Sequence, residues 1–136
     1  MKAIITDLDR TLLHTDKSVS EHTIAVLKKC RNHGILVMAA SARPLRNILI
    51  YNDLIGFDAI TATKWNGIRH MLAYFNISPG DAAYFGDDND DIEPVKNCGL
   101  GVAVSNAIPS VLDVADRIID SNDMDGVARF IEENIL

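Results

Sequence analysis

The chain enters its first predicted strand through KAIITDLDRT, residues 2–11. Residues 2–6 have the apolar, β-branched character of a buried strand, and two carboxylates, Asp7 and Asp9, follow it. In an extended segment, side chains two positions apart point to the same side, so both aspartates can reach one site. Two like charges that close are costly unless a cation or a shared proton offsets them. The pair alone fits solvated turn carboxylates, and only further residues would favour a metal and a reaction.

Strand and helix signals alternate along the rest of the 136 residues, without a linker, an internal repeat or a low-complexity segment. This alternation predicts one α/β domain over residues 1–136, with a mainly parallel central sheet and right-handed crossovers. We predict further strands at Ile35–Ala40, Phe57–Ile60, Ala82–Phe85, Leu100–Val104 and Arg117–Ile119. We predict helices between the cap residues Ser20 and Gly34, from Pro44 to Gly56, at Lys64–Asn76, up to Asn97, at Pro109–Ala115 and at Asp125–Asn134.

Several polar residues follow predicted strands. Asp7 and Asp9 come after the first strand, Ser41 after the second and Asp87 after a later one, while Lys64 begins a helix. In parallel α/β sheets, ligands bind in the crevice outside the carboxyl ends of the strands. We therefore expect these side chains to share one site.

The chain carries four short patterns in one order: DLDRT at 7–11, Ser41 after an apolar strand, Lys64 at a helix start, and GDDNDD at 86–91. In this order the sequence resembles the haloacid dehalogenase-like hydrolase superfamily, and more narrowly the Cof-type sugar-phosphate phosphatases. The resemblance covers residues 2–44 and residue 64 to the end. It implies a three-layer, Rossmann-like fold, and each pattern alone is weak while the set is specific.

The resemblance also implies a role for each matching residue. Asp7 would be the nucleophile that forms an aspartyl-phosphate, and Asp9 would be first the general acid and then the general base. Ser41 and Lys64 would bind the phosphoryl group. The Mg²⁺ ligands would be Asp7, the backbone carbonyl of Asp9, Asp87 and, as a second metal-side carboxylate, Asp91.

The activity implied by the resemblance is Mg²⁺-dependent hydrolysis of a small phosphomonoester. Phosphotransferase or phosphomutase activity through the same intermediate, and a non-catalytic metal-binding interaction protein, are the alternatives. A two-component receiver domain also combines acidic residues, Mg²⁺, Ser/Thr and Lys on a parallel sheet. Its acceptor aspartate follows the third strand, however, so the order of motifs in this chain disfavours it.

The chain departs from the family pattern at two positions near the site. Arg10 stands where a glycine is usual, which bears on the shape of that loop, and its guanidinium could reach toward a substrate. Asp90 stands where an asparagine is usual, and we expect tighter metal binding or a shifted pH profile from the added charge. Asn106 lies in a segment that resembles one near the family's site, although its position favours a role in a turn.

The chain leaves no room for the cap domain that Cof-type relatives insert. Only residues 44–63 separate Arg43 from Lys64, and residues 12–40 hold a single crossover. A cap excludes water and selects the leaving group, so we expect an open site. Resemblance to capless relatives favours a homo-oligomer in which a neighbouring subunit covers it; a large or loosely selected substrate is the alternative.

The composition limits the partners. The net charge is −6 and no basic cluster is present, which argues against nucleic acid and anionic membranes. The longest apolar runs are too short to span a membrane. Cys30 and Cys98 fit neither a disulfide framework nor a zinc site. We expect a soluble, cytoplasmic protein.

Overall fold

A computed structural model describes residues 1–41 and 63–136 with their side chains and residues 55–57 through their backbone. The strands are β1 (Ala3–Thr6), β2 (Leu36–Ala40), β3 (Ile55–Phe57), β4 (Ala82–Gly86), β5 (Leu100–Val104) and β6 (Arg117–Ile119). The helices are α1 (Glu21–Asn32), α2 (Lys64–Tyr74), α3 (Ile92–Asn97), α4 (Pro109–Leu112) and α5 (Gly126–Asn134).

The described strands form one parallel sheet in the order β3-β2-β1-β4-β5-β6. The chain builds the sheet outward from β1 to β3, then returns to β4 on the other side of β1. Thr6 of β1 stands in register with Ala39 of β2 and Phe85 of β4. The order of strands therefore reverses between β1 and β4, and the crevice at their carboxyl ends is where such a sheet binds ligands.

The core is a sheet covered on both faces. The residues of β1 and β4 are all buried, as expected of central parallel strands. Helices α1 and α5 pack together, and so do α2 and α3, which forms the two outer layers. The predicted three-layer, Rossmann-like α/β fold is confirmed. In the part of the chain that the structure describes, no helix has the length and apolar character to cross a membrane.

The predicted caps of the first helix are confirmed. The Ser20 hydroxyl accepts a hydrogen bond from the Thr23 backbone amide at 2.9 Å and begins α1. Gly34 follows the end of that helix with a φ of 74°, a conformation that glycine adopts at little cost. The local signals at both ends therefore agree with the tertiary structure.

Two predicted helices extend beyond their ends in the structure. Helix α2 ends at Tyr74, because Asn76 takes a φ of 53° and breaks the helix two residues further on. Helix α4 ends at Leu112 rather than at Ala115. Shortly after it, the Asp116 carboxylate accepts a hydrogen bond from the Gly101 backbone amide at 2.8 Å, which ties this part of the chain to β5.

Strand β3 begins at Ile55, because it pairs with Met38–Ala40 of β2. Ile55 and Gly56, the last residues of the helix predicted from Pro44, belong to this strand instead. Residues 44–54 of that helix and residues 58–60 of the predicted strand lie outside the described residues. So does most of the 44–63 interval on which the prediction of an absent cap depends. The 12–40 interval holds a loop, α1 and β2.

Candidate active site

The turn after β1 is tight and left-handed at one position. Residues 8–12 form a turn that the Leu13 amide closes on the Leu8 carbonyl at 2.8 Å, and Asp9 and Arg10 within it have non-helical backbone angles. Arg10 has a φ of 62°, which is unfavourable for a side chain with a Cβ and favours glycine. The backbone at position 10 therefore favours glycine, the residue expected there from the family pattern, whereas this chain has arginine.

The loop after β4 folds around the carboxylate of Asp91. One Asp91 oxygen, Oδ2, accepts the backbone amides of Asp87 at 2.8 Å and Asp88 at 3.0 Å. The other, Oδ1, accepts the Tyr84 hydroxyl at 2.5 Å and Lys64 Nζ at 2.5 Å. Asp91 has no exposed surface. Four donors thus hold a fully buried carboxylate in one orientation.

Gly86 permits this arrangement. A Cβ at position 86 would lie 2.5 Å from the Asp91 Cβ, a separation that real Cβ atoms do not show. The close approach of the Asp91 side chain to the end of β4 therefore requires the first glycine of GDDNDD.

Three buried carboxylates meet between β1 and β4. Asp7, Asp87 and Asp91 each offer an oxygen, and these oxygens lie within 4.8 Å of one another. No other group of three potential metal ligands occurs among the described residues. Lys64, also buried, places Nζ 2.9 Å from Asp7 Oδ1 and 3.0 Å from Oδ2 of the exposed Asp90. The structure thus brings together four of the predicted site residues.

Burial controls the ionisation of this cluster. Removal from water raises the pKa of Asp7 to about 7; the Lys64 ammonium opposes the rise and the Asp91 charge adds to it. Burial also raises the pKa of Asp87, although the Thr11 hydroxyl lowers it in part. For Lys64, burial lowers the pKa, but Asp91 and Asp7 outweigh that effect and raise it. Asp7 and Asp87 thus resist ionisation, and a bound cation would stabilise their charged forms.

Asp9 lies apart from the three clustered carboxylates. Its side chain is partly exposed, and Oδ1 accepts Lys17 Nζ at 2.6 Å. Lys17 comes from the loop before α1 and has a φ of 71°. The role of the Asp9 carbonyl as a metal ligand stays a prediction. Ser41 is buried directly after β2, beside the end of β1, and its contact with phosphate also stays a prediction.

Sequence reasoning missed several residues that shape this site. The Thr11 hydroxyl donates to Asp87 Oδ1 at 2.8 Å, and Tyr84 donates to Asp91 from within the core. Lys17 was not singled out because an exposed loop lysine gives no local signal. Asn106 was expected to serve a turn; its side-chain amide also donates to the Arg10 carbonyl at 2.8 Å, across 96 positions of sequence.

The haloacid dehalogenase-like hydrolase profile matches the chain over residues 4–63 and 58–131. The curated relatives align with about half of the chain. A chloroplastic endoribonuclease YBEY of Arabidopsis thaliana is 42% identical over 77 residues, which are 57% of this chain and 13% of that protein. The 5-amino-6-(5-phospho-D-ribitylamino)uracil phosphatase of Bacillus subtilis is 36% identical over 67 residues, 49% of this chain and 25% of the relative. The aligned segments thus span much less than two thirds of these relatives.

Solved structures share the fold over nearly the whole chain. A haloacid dehalogenase-like hydrolase from Bacteroides thetaiotaomicron superposes with a TM-score of 0.89 at 16% identity, covering 97% of this chain and 98% of that one. The 3-deoxy-D-manno-octulosonate 8-phosphate phosphatase of Moraxella catarrhalis, solved with magnesium and phosphate ions, superposes with a TM-score of 0.78 at 17% identity, covering 98% and 86%. At these identities the likeness concerns the fold.

Proposed function

The chain belongs to the haloacid dehalogenase-like hydrolase family, and we propose that it is a Mg²⁺-dependent phosphatase that hydrolyses phosphomonoesters through a phosphorylated Asp7. One observation carries the proposal: a buried lysine and two further carboxylates surround Asp7 at the point where the order of strands reverses. Phosphoryl transfer depends mainly on positioning and on neutralising negative charge, and both are built into this cluster.

The residues present fit a magnesium ion. Asp7, Asp87 and Asp91 offer only oxygen atoms, which Mg²⁺ prefers, and burial opposes the ionisation of Asp7 and Asp87 without a cation. We propose that Asp7 and Asp87 hold the ion. Mg²⁺ would supply charge neutralisation for the phosphoryl oxygens. The Moraxella phosphatase, whose structure contains magnesium and phosphate ions, supports this assignment by its fold.

Asp91 suits a positioning role better than direct metal binding. Each of its oxygens already accepts two donors, which include Lys64 Nζ and the Asp87 amide. A metal ion would have to compete with these bonds. We propose that Asp91 fixes the ammonium of Lys64 beside Asp7 and the backbone that carries Asp87. This proposal narrows the role that the family resemblance implies.

In the first step, an Asp7 carboxylate oxygen attacks phosphorus while the bond from phosphorus to the leaving oxygen breaks. A proton from the Asp9 carboxyl goes to the leaving oxygen, so an alcohol departs and Asp7 is phosphorylated. Lys64 attracts the phosphoryl oxygens as their charge develops, and the Ser41 hydroxyl donates to one of them.

In the second step, the Asp9 carboxylate takes a proton from water, and the water oxygen attacks phosphorus. The bond between phosphorus and Asp7 then breaks, which releases phosphate and restores the Asp7 carboxylate. Lys17, 2.6 Å from Asp9, favours the ionised form of Asp9 that this step requires. Protonation of Asp9 for the first step requires this ion pair to loosen.

A phosphate-release screen over varied phosphate esters, with Mg²⁺ and with a chelator, tests the proposal. We expect Mg²⁺-dependent turnover of at least one ester, and its loss in Asp7→Asn. Added alcohol acceptors separate hydrolysis from phosphotransfer, because transfer yields a new phosphate ester instead of free phosphate. No turnover of any ester, or equal activity of Asp7→Asn, would contradict the catalytic assignment.

A further inference from the structure

Arg10 presents a cation at the edge of the carboxylate cluster. Its Nε lies 3.9 Å from Asp87 Oδ2, close enough for electrostatic attraction and too long for a hydrogen bond. The side chain is 57% exposed. The guanidinium therefore lies beside the proposed metal ligand with one side open to an approaching molecule.

The loop holds Arg10 by two bonds to one residue. The Asn106 side-chain amide donates to the Arg10 carbonyl at 2.8 Å, and Arg10 Nη2 donates to the Asn106 carbonyl at 3.2 Å. Asn106 Oδ1 in turn accepts the Asn122 amide at 3.1 Å. These contacts maintain Arg10 at a φ of 62°, a conformation that costs free energy for a residue other than glycine. The position is thus occupied by arginine despite a backbone that favours glycine.

The other cations near the site, among the described residues, already form ion pairs with carboxylates. Lys64 is buried against Asp7, Asp90 and Asp91, and Lys17 forms a 2.6 Å ion pair with Asp9.

A guanidinium has five donors, and within the described chain Arg10 uses one in a hydrogen bond, to Asn106. Exposed Asp88 and Asp90 repel an anion from their side of the site. The Arg10 side is therefore where an anionic substituent of a substrate would be attracted.

We propose that Arg10 determines specificity by binding a second anionic group, a carboxylate or a further phosphate, on the leaving alcohol of the substrate. The proposal rests on the proposed phosphatase function and adds the substrate class. Guanidinium pairs with both groups through two parallel hydrogen bonds, which water-exposed lysines do not reproduce. Phosphate esters of a neutral alcohol would lack this contact with Arg10.

Matched substrates test the contact. The carboxylate pair is 2-phosphoglycolate and 2-hydroxyethyl phosphate, and the phosphate pair is 1,3-propanediol bisphosphate and 3-hydroxypropyl phosphate. In Arg10→Gln we expect kcat/KM for an anionic probe to fall about 10- to 100-fold, and that for its neutral partner to change less than about threefold. The two pairs distinguish a carboxylate from a phosphate as the preferred group.

Two further variants separate the guanidinium from the loop. Arg10→Gly suits the left-handed backbone and should show the same selective loss. Arg117→Gln removes an exposed arginine at the amino end of β6, far from the carboxyl-end crevice, and should leave every kcat/KM unchanged. An equal loss for anionic and neutral probes, or no loss for either, would overturn the role of Arg10.

Equilibrium binding keeps the inference testable apart from turnover. Calorimetry with Asp7→Asn and with Asp7→Asn/Arg10→Gln, in Mg²⁺, measures affinity for the same four probes. Arg10-dependent preference for an anionic probe without any turnover by the natural chain would support the binding site and reject the phosphatase. Turnover of the neutral probes without an Arg10-dependent preference would support the phosphatase and reject the Arg10 binding site. Absence of binding to all four probes would overturn the inference.

Discussion

Lys64 Nζ lies 2.9 Å from Asp7 Oδ1, and both side chains are nearly excluded from water, at 7% and 12% exposure. Lys2 and Asp81 form an ion pair of the same 2.9 Å length at the surface, with 66% and 43% exposure. The two pairs share geometry and differ in solvation. Because Lys64 also contacts Asp90 and Asp91, they compare an exposed ion pair with a buried lysine that contacts several carboxylates.

Lys64→Met should destabilise the protein by about 3–5 kcal/mol, because it leaves buried carboxylates without their cation. Lys2→Met, the matched control, should cost at most about 1 kcal/mol, since water screens the exposed pair. Urea unfolding of both variants at neutral pH measures the difference. Equal losses from the two substitutions would show that the Lys64 pair is not held as the structure describes.

The pKa of Asp7 makes the metal-free protein less stable as pH rises. Burial raises that pKa from 3.8 to about 7, against the opposing effect of Lys64. The folded chain therefore holds a proton that the unfolded chain has lost over this range. The stability that the protonated group contributes is complete below about pH 4 and is lost as pH rises through about 7.

Asp7→Asn cannot ionise and so avoids this loss. We expect its free energy of unfolding, in chelator, to exceed that of the natural chain by about 4 kcal/mol at pH 8 and to match it near pH 4. Urea unfolding across this range is the measurement, with the exposed Asp113→Asn as a control that shows no such trend. A natural chain that gains stability relative to Asp7→Asn between pH 5 and 8 would refute the raised pKa.

Tyr84→Phe should cost about 1.5–3 kcal/mol, because it removes a hydroxyl that donates to the fully buried Asp91 carboxylate at 2.5 Å. Tyr74→Phe removes a hydroxyl from a side chain that is 80% exposed and should change stability little. Thermal and urea unfolding of the two variants provide the comparison. If both behave alike, Tyr84 contributes only its ring.

The architecture of the site was predictable where local patterns coincide with the fold. Alternating strands and helices place Asp7, Ser41 and Asp87 after parallel strands, and a parallel sheet aligns the carboxyl ends of its strands. The reversal of order between β1 and β4 explains why Asp7 and Asp87 are the two that meet.

Other features depend on contacts between distant parts of the chain. Tyr84 reads as an ordinary core residue of a strand, and nothing local shows that its hydroxyl faces Asp91. Asp91 is one of four acids in a polar loop, yet it alone is fully buried, because Gly86 lets it approach β4. The pairing of Lys17 with Asp9 depends on how a loop returns toward the site. The sequence singles out Arg10 because it stands where a glycine is expected. Its two hydrogen bonds with Asn106, however, could be found only from the structure.

Lys17→Met should slow release of phosphate from Asp7 about tenfold, because Lys17 favours the ionised Asp9 that activates water. Phosphorylated protein should then accumulate during turnover, which acid quenching followed by intact mass spectrometry detects. Lys28→Met, on the exposed surface of α1, is the control and should not accumulate it. Slower turnover without accumulation would instead assign Lys17 to the first step.

Mg²⁺ should stabilise the folded chain through Asp87 and not through its neighbour Asp88. Asp87 is buried within the three-carboxylate cluster, whereas exposed Asp88 caps the following turn by accepting the Asn89 amide at 2.7 Å. Asparagine can keep that cap, so Asp88→Asn isolates the loss of a nearby charge.

At 100 times its dissociation constant, a bound ion adds about 2.7 kcal/mol to the free energy of unfolding. We expect this gain in the natural chain and in Asp88→Asn, and its near loss in Asp87→Asn, by urea unfolding with and without Mg²⁺. Equal gains in all three proteins would place the ion elsewhere than at Asp87.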